Sequence, residues 1–117
     1  MIKPVRNNEV IDKSNVFIIV EIIEYISHAV VIKTIIKKTT GNVSVVSVDS
    51  GETLNEKISP FDTFIQVIDG KAEVQVNDRV YILNTGESII IPAHSRNSIR
   101  ANERFKMIST IIKSGYE

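Results

Sequence analysis

The sequence contains no cysteine, so no disulfide can staple the fold and no Cys-x-x-Cys chemistry is available. Tryptophan is also absent, and aromatic residues make up only 6% of the chain, too few for a base-stacking platform. An excess of either charge is missing as well. Lys+Arg is 14 and Asp+Glu is 14, and a formal net charge of zero argues against a nucleic-acid partner, whose footprint is a basic excess. No long hydrophobic run exists. The greasiest stretch, residues 16–26, is broken by Glu21 and Glu24 and falls short of the roughly 20 residues that span a bilayer. The opening Met1-Ile2-Lys3-Pro4-Val5-Arg6 lacks the apolar centre of a secretory signal. The expectation is a cytoplasmic protein without a membrane partner.

Leucine and alanine, the strong helix formers, number only 2 and 4. In their place stand 21 isoleucines and 14 valines. These residues are stiff at χ1 and pack well on a pleated surface, so composition alone points to an all-β protein. The 117 residues suit one domain. Scaling gives about 6,400 Å² of folded surface against roughly 19,000 Å² extended, enough burial for a core without covalent staples.

Turn signals divide the chain at short intervals. Residues 1–15 are polar and read as an irregular lead-in. Residues 16–26 suit a short helix by spacing and a strand by composition. Extended runs follow at 30–36, 43–48, 62–68, 72–76, 80–83, 88–91, 97–101 and 105–112. Asp69-Gly70 between alternating runs predicts a tight hairpin, and Asn77-Asp78 predicts a second. Pro92 ends the strand before it. Eight or nine short strands at this spacing mean a sandwich or barrel. Ile35-Ile36 and Ile89-Ile90-Ile91 are apolar on both faces, so a second sheet, the N-terminal segment or another subunit should cover them. A homodimer is the simplest cover. The expected organisation is an N-terminal segment, 1–29, packing on the barrel or on a partner, and a barrel, 30–117.

Two patches belong together. One runs from Gly51-Glu52-Thr53-Leu54 through Lys57-Ile58-Ser59-Pro60-Phe61-Asp62-Thr63 to Asp69-Gly70. The other is Gly86-Glu87-Ser88-Ile89-Ile90-Ile91-Pro92-Ala93-His94-Ser95-Arg96-Asn97. In their glycine-to-glycine and glycine-to-proline spacing they resemble the two motifs of the cupin superfamily, specifically its small single-domain, conserved-barrel members. The resemblance implies a double-stranded β-helix, or jelly-roll barrel, with a pocket at one open end, and usually a homodimer.

The resemblance fails where the family binds metal. Its first motif supplies His-x-His and a glutamate; here Lys57, Ser59 and Thr63 occupy those positions. Its second motif supplies another histidine; here it is Asn97. Lysine repels a cation, and neutral oxygens are weak ligands for transition metals. No metal or other cofactor is expected. The implied site is a pocket of Lys57, Ser59, Thr63 and Asn97. In it Lys57 would supply positive charge and Asn97 a donor and an acceptor for a small anionic molecule. The alternative for Lys57 is a snorkelling side chain or one paired with Asp62.

Other candidates have plainer uses. His94 replaces a motif glycine and is expected in left-handed backbone at an exposed turn. His28 has no spaced partner. Asp49 and Asp62 fit turn chemistry. Glu52 and Glu56 fit solvated edges, and Phe61, Phe64, Phe105 and Met107 fit core or dimer contacts. The expectation is a metal-free, non-catalytic binding protein for a small molecule at the barrel mouth. Two alternatives stand beside it. One is an enzyme with a displaced metal site built from His28, His94 or the Glu52/Glu56 pair. The other is a structural or partner-binding dimer whose pocket is filled by its own side chains.

Overall fold

Isoleucine and valine place nearly all regular structure in strands. A computed structural model describes residues 4–7, 11–55 and 58–116. Its strands are β1 (Val5–Asn7), β2 (Val30–Lys38), β3 (Gly41–Val48), β4 (Thr53–Asn55), β5 (Asp62–Val76), β6 (Arg79–Asn84), β7 (Ser88–Ile91), β8 (Asn97–Arg100) and β9 (Phe105–Ile112). Strand β1 lies inside the stretch expected to be irregular and pairs in parallel with Val31, Ile32 and Lys33 of β2. Among the described residues no helix is long and apolar enough to cross a membrane.

The strands form two walls that share β5. One wall runs β1–β2–β3–β9–β5–β7 and the other β4–β8–β5–β6. Up to Gly70, β5 pairs with β9 and β7; from Lys71 it pairs with β6 and β8. The expected all-β jelly-roll barrel is therefore what the chain forms. Between the walls lies the main core, with Val46, Val48, Ile65, Val67, Phe105 and Met107 meeting Leu54, Val74 and Ile99. The alternation of Ala72, Val74 and Val76 inward against Glu73 and Gln75 outward holds as read from the sequence.

Asp69-Gly70 does not close a hairpin. Its flanking runs do not pair with each other, because each finds longer partners in a different wall. Strand β5 passes through with a register slip between Val67 and Asp69. Gly70 has φ +86°, so the positive φ signalled by Asp-Gly is present but serves a crossing between walls. A Cβ there would fall on the Arg104 carbonyl oxygen and 3.0 Å from Phe105 Cα. The Asn77-Asp78 hairpin does form, joining β5 to β6 with Asn77 at φ 52°.

Hydrogen bonds mark the two ends of the barrel. At the closed end Gly51 N–H donates to Ala101 (2.6 Å), Gly86 N–H to Val67 (2.7 Å) and Arg104 N–H to Ser50 Oγ (3.1 Å). At the open end His94 N–H donates to the Ser59 carbonyl (2.6 Å), and Ala93 N–H to Asp62 Oδ1 (2.8 Å). There too, Asn77 N–H donates to Arg96 (2.7 Å) and Lys113 N–H to Thr40 (2.8 Å). The two motif loops are thus clipped together at one end.

Residues 16–26 are neither helix nor strand, apart from one 3-10 turn, Ile19–Glu21. Their alternate carbonyls are taken by side chains of the wall beneath. Lys106 Nζ donates to Val20 (2.7 Å), Lys33 Nζ to Ile22 (3.3 Å) and Ser47 Oγ to Glu24 (2.8 Å). Ile19, Ile22 and Ile23 pack on Val31, Ile35, Val45 and Ile68 on the outer face. Burial of Ile23 alone stabilises by about 2 kcal/mol. Tyr25 ends the strap, donating to Asp69 Oδ2 (2.6 Å) with its ring 4.4 Å from Arg104 and 4.9 Å from Lys106 Nζ. Burial and the Asp69 carboxylate raise the Tyr25 phenol above its ordinary range, so the donor persists at any physiological pH.

Two glycines with the same sign of φ separate backbone strain from steric conflict. Gly86 has φ +90° with open space where a Cβ would go. Gly86→Ala is expected to cost about 1 kcal/mol and Gly70→Ala distinctly more, read as urea or thermal unfolding. Equal losses would contradict a close crossing at Gly70.

Candidate functional site

The open end is shaped by a bulge in β2. Thr34 pairs with Ser44, but Ile36 pairs with Val43, so Ile35 is an extra residue. A bulge turns the side chains beyond it to the opposite face. Lys37 thereby joins the row that faces the barrel interior: Lys37 opposite Asn42, Asn42 opposite Ile111, Ile111 opposite Thr63, and Thr63 opposite Ile91. One layer deeper the row is Thr34, Ser44, Ser109, Ile65 and Ile89. Below that it is apolar, with Ile32, Val46, Met107 and Val67.

A cavity of about 1020 Å³ opens over these rows. Its floor is Ile32, Val46 and Leu54, and its wall carries the hydroxyls of Thr34, Ser44 and Ser109 and the amide of Asn42. Residues 11–15 and Phe17 border it on one side. Among the described residues, Lys13, Lys37, Lys38 and Lys113 line it, with the carboxylate of Asp12.

The residues singled out by sequence lie around the same end, though Ser59, Thr63 and Asn97 are not among the residues lining that cavity. Thr63 (3% exposed) shares the buried face of Ile65 and Val67, and Asn97 (7% exposed) that of Ile99 and Ala101. Asn97 Oδ1 is buried without a hydrogen-bond partner among the described residues. The Ser59 hydroxyl accepts the Phe61 N–H (3.1 Å), a local turn bond. Lys57 and Glu56 fall outside the described residues.

His94 has φ 65°, the left-handed backbone expected for a residue replacing glycine. His28 has φ 59° and lies at the closed end, where its N–H donates to Asp49 Oδ2 (2.8 Å). The His28 amide and then the Ser50 amide hold the Asp49 carboxyl below its ordinary pKa. Asp62 uses its carboxylate to clip the second motif loop. Among the described residues no group of three or more His, Cys, Asp or Glu side chains could hold a metal ion. The family's metal does not fit the residues at its positions. Thr63 and Asn97 offer neutral oxygens, the Ser59 hydroxyl is engaged in its turn, and Lys57 brings a cation.

Lys37, Asn42, Ser44, Thr34 and Ser109 were not candidates from sequence, because strict alternation through 30–36 points Lys37 to the outside. The signal that could have found them is the Ile35-Ile36 doublet followed by Lys37-Lys38. A doublet that breaks period two is what a bulge looks like in sequence.

Residues 44–111 match the family model of the cupin domain, more than half of the chain. Among solved structures, a conserved protein of unknown function from Streptococcus pyogenes is similar at 22% identity and a TM-score of 0.84, covering 97% of both chains. A cupin 2 conserved barrel domain protein from Leptotrichia buccalis matches at 28% identity and a TM-score of 0.77, over 80% of this chain and 46% of that one. A cupin superfamily protein from Desulfitobacterium hafniense matches at 21% identity and a TM-score of 0.82, over 88% and 94% of the two chains. Likeness below 25% identity shows the fold alone. A search of curated proteins finds no match.

An acceptor buried without a donor costs about 1–3 kcal/mol. Asn97→Leu is therefore expected to raise the midpoint of thermal unfolding of the protein alone. A clear fall in the midpoint would show that Asn97 is satisfied by its surroundings.

Proposed function

The chain belongs to the cupin domain family, and we propose that it is a metal-free, non-catalytic member that binds a small anionic molecule at the open end of the barrel. The observation that carries this reading is the cavity over the inward rows of β2, β3 and β9. It joins an apolar floor to hydroxyls and to four lysines. Few polar groups converging on an apolar concavity are the ordinary make-up of a small-molecule site. Lys57, Ser59, Thr63 and Asn97, at the family's ligand positions, complete the mouth in this reading. The Oδ1 of Asn97, without a partner among the described residues, is an acceptor for a donor group elsewhere on such a molecule. The choice of lysine, hydroxyl and amide over imidazole supports binding by charge and hydrogen bonds instead of through a metal.

A second copy of the chain is the proposed cover for part of the outer surface. The N-terminal strap shields Ile35, but Ile36 is 51% exposed and Ile90 64% exposed. Ile90, Phe64, Thr110, Val43 and Ile36 form one cross-strand row on that face. Ile112 stands exposed beside it. Contiguous apolar surface of this kind is the signature of an interface.

Native mass spectrometry on untagged protein, with elemental analysis after exposure to iron, manganese, nickel and zinc, tests the main reading. The expected result is an adduct of a small organic molecule and no metal surviving desalting. Stoichiometric retained metal would overturn it. For the second copy, light scattering is expected to give twice the mass of the chain, and Ile90→Lys to shift it toward the monomer. A monomer at every concentration would contradict that cover.

A further inference from the structure

We propose that the β2–β3–β9 side of the open end is a subsite for a doubly charged anionic group, a phosphate monoester or a dicarboxylate. Lys37 is its central cation, and the hydroxyls of Ser44 and Ser109 are its donors. The inference rests on the reading that a small anion occupies this mouth, and it names the group and the residues that take it.

Three observations carry it. The first is the bulge. Without Ile35 as an extra residue, Lys37 would face outward; with it, Lys37 stands directly across from Asn42 on the interior row. The second is charge. The chain has a formal net charge of zero, yet among the described residues four lysines and one aspartate line this cavity. Lys113 is held beside the hairpin tip because its N–H donates to the Thr40 carbonyl (2.8 Å). A concave wall with an excess of one sign of charge concentrates the opposite ion, and several lysines together suit a dianion better than a monoanion. The third is the layer beneath. Ser44 and Ser109 are about nine-tenths buried, lie opposite each other, and line the cavity. Hydroxyls at that depth are donors for an oxyanion whose charge the lysines balance. The apolar Ile32, Val46 and Leu54 below them leave the rest of the ligand an apolar surface to rest on.

No arginine lines the cavity among the described residues. Recognition is therefore by point charges and not by a bidentate fork, which is why phosphate and carboxylate dianions belong to the same class here.

The test is calorimetric titration of the full chain with inorganic phosphate and with succinate, in chloride at fixed ionic strength. At least one is expected to bind, with affinity that falls as salt rises. Lys37→Gln is expected to weaken it about fivefold or more, and Ser44→Ala by about threefold. Lys37→Arg should retain most of it, and Lys71→Gln, at the closed end, should change nothing. Preference for phosphate or for succinate identifies the source of the dianion. Thermal melting of each variant checks that the fold is kept. Unchanged affinity in both Lys37→Gln and Lys113→Gln would overturn the subsite, as would no binding of either probe up to roughly 10 mM. A co-purified molecule whose affinity ignores Lys37→Gln would leave the small-molecule reading standing and remove this subsite alone.

Discussion

The fold depends on one strand serving two walls. Strand β5 gives its first half to β9 and β7 and its second half to β8 and β6. The change of partner happens where Gly70 meets the Arg104 carbonyl, a contact that leaves no room for a side chain. Because the two halves are covalently continuous, their inward faces must close on the same core. Ile65 and Val67 on one half, and Ala72 and Val74 on the other, are fully buried in it. The motif glycines sit at the closed end, where this crossing lies. Gly51, Gly70 and Gly86 all have positive φ and turn the chain there.

The open end follows from that closure. The Asp62 carboxylate and the Ser59 carbonyl tie the first motif loop to Ala93 and His94 of the second. Thr63 and Asn97 then face the barrel interior, at the positions where the resemblance implies a carboxylate and an imidazole. The bulge in β2 acts on the far side of the same mouth, bringing a lysine over two buried serines. In the proposed reading the mouth recognises charge through the β2–β3 hairpin and not a metal through the motif strands.

Much of this was legible in the sequence where the cause is local. Asn77-Asp78 makes its hairpin because two residues suffice for that turn. Pro92 ends β7, and His94 takes the backbone of the glycine it replaces. The pairing pattern was less legible. Asp69-Gly70 correctly signals positive φ, but whether that φ closes a hairpin or carries a strand between walls is decided by distant β6 through β9. Residues 16–26 satisfy helical spacing, yet Lys33, Ser47 and Lys106 claim their carbonyls, and those donors lie on strands remote in sequence. The bulge hid the lysine wall for a similar reason. Period two predicts which face a residue takes only while the register holds, and one extra residue at Ile35 reverses it.

The central claim is that the open mouth, and not a metal centre or the outer surface, is where this protein meets its ligand. Its most direct measurement is backbone amide chemical-shift mapping while the tighter-binding of inorganic phosphate and succinate is titrated into the isotopically labelled protein. The account predicts saturable shifts at Thr34, Lys37, Asn42, Ser44 and Ser109, with the closed-end amides of Gly51, Gly70 and Gly86 unmoved. Shifts confined to the outer face around Phe64 and Ile90, or spread evenly over the exposed lysines, would contradict it.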